Sequence, residues 1–145
     1  MGIHTYKIRI DHEQGLRCRA TARGFELVMD EPKSLGGTDS GMTPLEALLS
    51  SLGGCIAITA KAHSRKVGVK LESCSVSVEG DLDPAGFMLK SDEVRSGFQQ
   101  IRVALSVQAD ASDEQLQELI ELVERACPVS DSLRGVEIEA RAERA

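Results

Sequence analysis

Thr43-Pro44-Leu45-Glu46-Ala47-Leu48-Leu49-Ser50-Ser51-Leu52-Gly53-Gly54-Cys55 is the stretch on which the fold of this chain turns. Thr43 suits a helix N-cap, Pro44 suits the first helical position, and Glu46 completes a capping box. Leu45, Leu48, Leu49, Leu52 and Ile56 recur at helical spacing. Lys61, Arg65 and Lys66 suit the negative end of the helix dipole and Gly68 suits a stop, so the pattern predicts one helix over 43–66. At 1.5 Å per residue that helix is about 35 Å long and crosses the domain as a central buried element. Each member of the pair Gly53-Gly54 costs about 1 kcal/mol relative to alanine. Their small size must therefore serve close packing against a partner, or access to Cys55.

Outward from this helix the pattern is β. Residues 4–30 read as a meander of three short strands. Ile8 and Ile10 alternate with polar neighbours, Gln14-Gly15 is a turn, and Arg23-Gly24 separates residues 16–22 from 25–30. Residues 31–42 have no period and form a loop long enough to suggest function. Residues 69–80 and 98–107 read as strands, and 81–97, with Asp83-Pro84-Ala85-Gly86, as a hairpin connection or flap. Residues 112–126 read as a second helix. Ser112 and Gln115 box its start, Leu116, Leu119, Ile120 and Val123 form its stripe, and Pro128 ends it. Residues 135–142 alternate strictly, as an edge strand does. With no repeat, low-complexity tract or boundary, residues 1–145 are expected to form one α+β domain.

Composition narrows the function. Hydrophobic residues make up 41% of the 145, which is globular, but aromatics only 3%, so the core is aliphatic. Few rings and a net charge of −6 disfavour nucleic-acid binding, which calls for stacking platforms and a basic face. The start Met1-Gly2-Ile3-His4-Thr5-Tyr6-Lys7 has no apolar h-region, and lacks the serine or threonine that a myristoylation signal requires. The longest apolar runs fall short of the roughly 20 residues of a membrane span. The expected address is the cytoplasm, where thiols stay reduced.

Two of the four cysteines sit in motifs of their own. Cys55 shares the apolar face of the first helix. Cys127 lies 72 positions later, in Ala126-Cys127-Pro128-Val129-Ser130-Asp131-Ser132-Leu133. Either alone reads equally well as a small buried hydrophobe. As a pair in a chain without secretion signals, they read as redox chemistry rather than a staple. Cys74 alternates with Val76 and Val78 and is expected in the core. Cys18 points away from its neighbours Arg17 and Arg19 and reads as structural. There is no CxxC or HxxxH, His4, His12 and His63 are scattered, and Gly36-Gly37 matches no nucleotide fingerprint. No metal or cofactor is expected.

Gly36-Gly37-Thr38, Thr43-Pro44-Leu45-Glu46, Leu52-Gly53-Gly54-Cys55 and Cys127-Pro128-Val129-Ser130-Asp131-Ser132-Leu133 together resemble the OsmC/Ohr family, from about residue 5 to 142. The resemblance implies an α+β fold with an N-terminal β-meander, a long central helix, further antiparallel strands and a second helix. It implies two chains intertwined as a homodimer with active sites at the interface. It also implies a thiol-dependent peroxidase of oxidative-stress defence that reduces small organic hydroperoxides. In that scheme Cys55 attacks the O–O bond, Cys127 resolves the product, and an external dithiol such as dihydrolipoamide restores the thiols. An arginine from the N-terminal strands supplies the activating cation, with Arg17 and Arg19 as the candidates.

A free thiol with pKa near 8.5 is mostly protonated at neutral pH, so Cys55, mid-helix, needs that cation. Cys127, at a helix C-terminus, is expected to have a raised pKa that suits a resolver. The chain departs from the family at Glu46. The peroxidase pattern places its catalytic glutamate directly after the proline, where this chain has Leu45. The step from Glu46 to Cys55 is roughly 900°, half a turn out of phase on a straight helix. Glu46 is therefore either the catalytic carboxylate of a kinked helix or only the capping-box partner of Thr43. The displaced glutamate favours an alternative without turnover: an OsmC-like dimer that binds a small hydrophobic ligand or senses redox state. A third reading is a structural dimer whose cysteines fill the core.

Overall fold

The computed structural model describes residues 2–145, so Met1, where the acylation-signal reading begins, lies outside the described residues. The chain forms two compact units, Met1–Leu48 and Leu49–Ala145.

In the first unit β1 (Arg9–His12), β2 (Cys18–Ala22) and β3 (Phe25–Met29) form the expected antiparallel meander, in the order β1-β2-β3. Cys18 faces both His12 and Met29 in register, and Ala20 is its buried centre. The following loop has more order than its sequence suggests. Lys33–Leu35 makes a single 3-10 turn, and the loop wraps around one buried carboxylate, Asp30. Asp30 accepts hydrogen bonds from the hydroxyls of Thr38 (2.6 Å) and Ser40 (2.8 Å). It also accepts from the N–H groups of Glu31 (2.8 Å), Thr38 (3.1 Å) and Ser40 (3.2 Å). Gly37 closes this loop so tightly that a Cβ there would lie 1.8 Å from the Glu31 carbonyl oxygen. The unit ends with the start of α1 (Pro44–His63). The predicted capping box is present: the Thr43 N–H donates to Glu46 Oε2 (2.7 Å) and the Glu46 N–H donates to Thr43 Oγ1 (3.2 Å).

The second unit holds the rest of α1, a 3-10 turn at Ser64–Val67, and the sheet β4 (Ser73–Asp81), β5 (Gln100–Gln108) and β6 (Glu137–Arg144), in that order. It also holds α2 (Pro84–Phe87), α3 (Asp113–Ala126) and α4 (Pro128–Ser132). β4 and β5 are antiparallel, and β6, the expected edge strand, joins β5 in parallel. The physical reason is the crossover: α3 and α4 carry the chain back before β6 begins, as a parallel pair requires. The period-2 strands turn Ile101, Val103, Leu105 and Val107 into a core completed by Leu52 and Ile56 of α1 and Leu116, Leu119, Ile120 and Val123 of α3. Cys74, expected in the core, is only partly buried and packs at its margin. Gly53 is where α1 meets the sheet, since a Cβ there would lie 3.1 Å from Val78 Cγ2. Gly54 faces open space. Within one chain the close-packing role therefore falls on Gly53.

Two expectations stand but gain detail. Pro44–Val67 is a 24-residue helical stretch with mean hydropathy 1.3, long and apolar enough by composition to cross a membrane. No single apolar run is that long; small uncharged residues keep the average up. Leu52, Gly53, Ile56, Thr59 and Ala60 are nevertheless buried within the protein, the pattern of a core helix. Pro128, read as a stop, also starts α4 at its first position, so Cys127 closes one helix and opens another.

Candidate functional site

The second unit brings Cys55 and Cys127 together. Their Sγ atoms are 2.9 Å apart, both thiols are free, and they share a hydrogen bond. Cys55 is half-buried on α1, with its Sγ 4.0 Å from Thr59 Oγ1 one turn on. Cys127 is only 1% exposed. Its backbone is pinned on both sides: its N–H donates to the Val123 carbonyl (2.9 Å) and its carbonyl accepts from the Asp131 N–H (3.1 Å).

The electrostatics reverse the sequence expectation. Burial pushes the Cys55 thiol up, and its hydrogen bond to Cys127 adds to this. Burial also opposes ionisation of Cys127. There it is outweighed by hydrogen bonds from Cys55, from the Ser130 hydroxyl and from the Ser130 and Val129 N–H groups, and the Cys127 thiol lies below its ordinary value. Cys127 was expected to be raised because only the end of α3 was legible. The donors that lower it belong to α4, which the Cys-Pro-Val-Ser spacing could have revealed as a helix start.

The second unit also holds a cleft of about 340 Å³, which neither Cys55 nor Cys127 lines. Ile56, Ile120, Val123, Leu133 and Val136 make its apolar wall, and Ser130, Glu124 and the ion pair Arg134–Asp131 (2.7 Å) lie at its polar part.

The remaining candidates lie in the first unit. Arg17 and Arg19 both pair with Glu13, at 2.6 and 2.7 Å, and Arg19 also pairs with Glu26 at 2.8 Å. Hydrogen bonds from Arg19 and then Arg17 hold the Glu13 carboxyl below the usual range. Glu46 is engaged as a helix cap, as above. Thr43→Ala removes half of that box and is expected to lower Tm by about 3 °C, from the ~1 kcal/mol typical of a cap, whereas Glu46→Gln keeps an amide oxygen to accept from the Thr43 N–H, as Gln115 does for Ser112, and leaves Tm nearly unchanged. If Glu46 is only a cap, both variants keep full peroxide turnover; a loss confined to Glu46→Gln would give its carboxylate a second role.

A redox-ready thiol pair held between a long helix and the junction of two others, on this α+β scaffold, defines a class. The family model described as OsmC-like protein matches residues 37–141, and the chain belongs to that family. It is 22% identical over 117 residues to a hydroperoxide reductase of Mycoplasma genitalium, covering 80% of this chain and 77% of that one. The crystal structure of an OsmC-like protein from Mycoplasma pneumoniae superposes with a TM-score of 0.86 at 22% identity, covering 98% of each chain. That of the organic hydroperoxide resistance protein OhrB of Bacillus subtilis gives 0.67 at 17% identity, over 97% of this chain and 98% of that one.

Proposed function

We propose that this protein is a two-cysteine thiol peroxidase that reduces small organic hydroperoxides. The observation that carries the reading is the 2.9 Å approach of two free thiols. Cys55, the more accessible sulfur, attacks one peroxide oxygen; the O–O bond breaks and the alcohol leaves. The sulfenic acid on Cys55 is then attacked by the Cys127 thiolate, already within reach, which expels water and closes a disulfide before further oxidation. An external aliphatic dithiol reduces that bridge by exchange. A cleft with an apolar wall in the same unit supports an organic rather than an inorganic peroxide.

Because burial pushes the Cys55 thiol up, a cation must draw the charge to it. Arg17 or Arg19 supplies it after release from Glu13, with Glu46 as the carboxylate partner if it leaves its cap. The site is completed in a homodimer. Large apolar side chains left exposed on α1, such as Leu45 (42%) and Ile58 (72%), support burial by a second copy. A reduced pair of this kind belongs in a reducing compartment, the cytoplasm.

The test is intact mass after one equivalent of cumene hydroperoxide, with and without alkylation. The expected result is a loss of two hydrogens, mapped to Cys55–Cys127 and reversed by dihydrolipoamide. The capping role of Glu46 favours a second reading, a ligand-binding or redox-sensing dimer. A bridge that forms once without catalytic turnover would support it, and four alkylatable thiols with no mass change would sink the peroxidase.

A further inference from the structure

We propose that one cross-strand row of the N-terminal meander, His12, Cys18 and Met29, is a binding site for a soft monovalent metal ion, Cu(I) by the chemistry of its ligands. The row lies wholly in the first unit and uses neither Cys55 nor Cys127.

The row follows from strand register. Cys18 of β2 stands opposite His12 of β1 and opposite Met29 of β3, and directly opposed residues share one face of a sheet. Arg17 and Arg19, on either side of Cys18, take the other face and are held there by Glu13. Met29 in turn bridges in parallel to Met42, so a second thioether continues the row. Hydrogen bonding sets the spacing. The Glu13 N–H donates to the Arg17 carbonyl (2.9 Å), which makes Glu13 and Arg17 a hydrogen-bonded pair and His12 and Cys18, next along, a non-hydrogen-bonded one. Such a pair brings its Cα atoms to about 4.5 Å and its side chains closest together.

His12 is already held as a metal ligand is held. Its Nε2 lies 2.6 Å from the Gly15 carbonyl oxygen. A carbonyl only accepts, so Nε2 carries the proton and the neutral ring keeps a lone pair on Nδ1. Metal-binding histidines tie their other N–H to a carbonyl or carboxylate in this way, which fixes tautomer and ring. Cys18 Sγ lies over the same turn, 3.8 Å from the Leu16 carbonyl oxygen. His12 is exposed, and Cys18 and Met29 are half-buried, so an ion can enter from solvent.

Ligand softness selects the ion. Thiolate and thioether sulfur suit Cu(I), and imidazole accepts copper as well. Zinc calls for four donors from Cys, His and carboxylates, and among the described residues no three His, Cys, Asp or Glu side chains gather to hold it. On binding, the Cys18 S–H gives its proton to the buffer and a copper–sulfur bond forms. Neither the metal nor the sulfur changes oxidation state.

The experiment uses the full chain carrying Cys55→Ser and Cys127→Ser, which removes the other close thiol pair. It is titrated without oxygen with Cu(I) against the chromophoric chelator bicinchoninate. The expected result is one equivalent of copper retained per chain. Adding Cys18→Ser abolishes retention, whereas adding Cys74→Ser leaves it in place. His12→Ala and Met29→Leu each lower the affinity at least about tenfold, the smallest loss typical of even an outer partner of a metal site. Zn(II) at the same concentration is not retained. If the double-serine chain does not fold, the comparison is made in the wild type, where Cys18→Ser lowers the retained copper by one equivalent. No retained copper, retention undiminished by Cys18→Ser, an affinity indifferent to both His12→Ala and Met29→Leu, or zinc held as tightly as Cu(I) would each overturn the proposal.

Discussion

Cys55→Ser is expected to abolish hydroperoxide turnover, by at least about a thousandfold, whereas Cys127→Ser fails in a different way. A serine hydroxyl at position 55 is not ionised near neutral pH and cannot attack the O–O bond, so no later step has a substrate. In Cys127→Ser the attacking sulfur remains, and the first equivalent of peroxide is consumed. The sulfenic acid then has no thiolate 2.9 Å away to condense with. It waits for an external thiol or takes up a second oxygen and is lost as sulfinic acid. The two variants thus separate on one mass spectrum after peroxide: no gain in Cys55→Ser, and one and then two added oxygens on Cys55 in Cys127→Ser. The reverse pattern, with oxygen accumulating on Cys127 when Cys55 is removed, would exchange the two roles. That outcome has a physical basis to be tested against, because the Cys127 thiol lies below its ordinary value and the Cys55 thiol above its own. Access speaks for Cys55, since a sulfur that is 1% exposed meets peroxide slowly however well it is ionised.

The parts of this molecule that were legible in sequence are those written in periods and caps. α1 follows from its leucine spacing and from Thr43, Pro44 and Glu46. α3 follows from the Ser112–Gln115 box, which is present as read. The alternation of β5 places its core face without error. The pairing of Cys55 with Cys127 was different in kind. Seventy-two residues separate them, and only the resemblance joined the two motifs. What stayed hidden was tertiary or depended on one proline. Pro128 stops a helix and starts one equally well, so the donors on Cys127 were missed. Parallel pairing of β6 is a property of the crossover and leaves no mark on the strand. Asp30 was passed over because the residues that bury it, Thr38 and Ser40, lie in a loop whose composition resembles any other.

That loop sets up the second large effect: Asp30→Asn is expected to lower Tm by about 5 °C or more at neutral pH, and by much less at pH 3. Five donors converge on one carboxylate, and an amide in its place turns an acceptor into a donor facing donors. The pH dependence follows from ionisation. The Thr38 hydroxyl first, then Ser40 and the N–H groups, hold the Asp30 carboxyl far below the usual carboxylate range despite its burial. In the unfolded chain the same group titrates near 3.9. Below that value the unfolded state binds a proton that the folded state refuses, so the stabilisation is whole above about pH 5 and drains away as pH falls through 3.9. The asparagine variant has no such proton to bind, so its acid limb is flatter and the two melting curves converge on acidification. Thermal unfolding of both proteins at pH 7 and pH 3 decides it. A gap that stays constant across the two pH values would mean that the loop needs the shape of Asp30 and not its charge. The order of the stretch leading into Thr43 would then rest on the close approach of Gly37 to Glu31 instead.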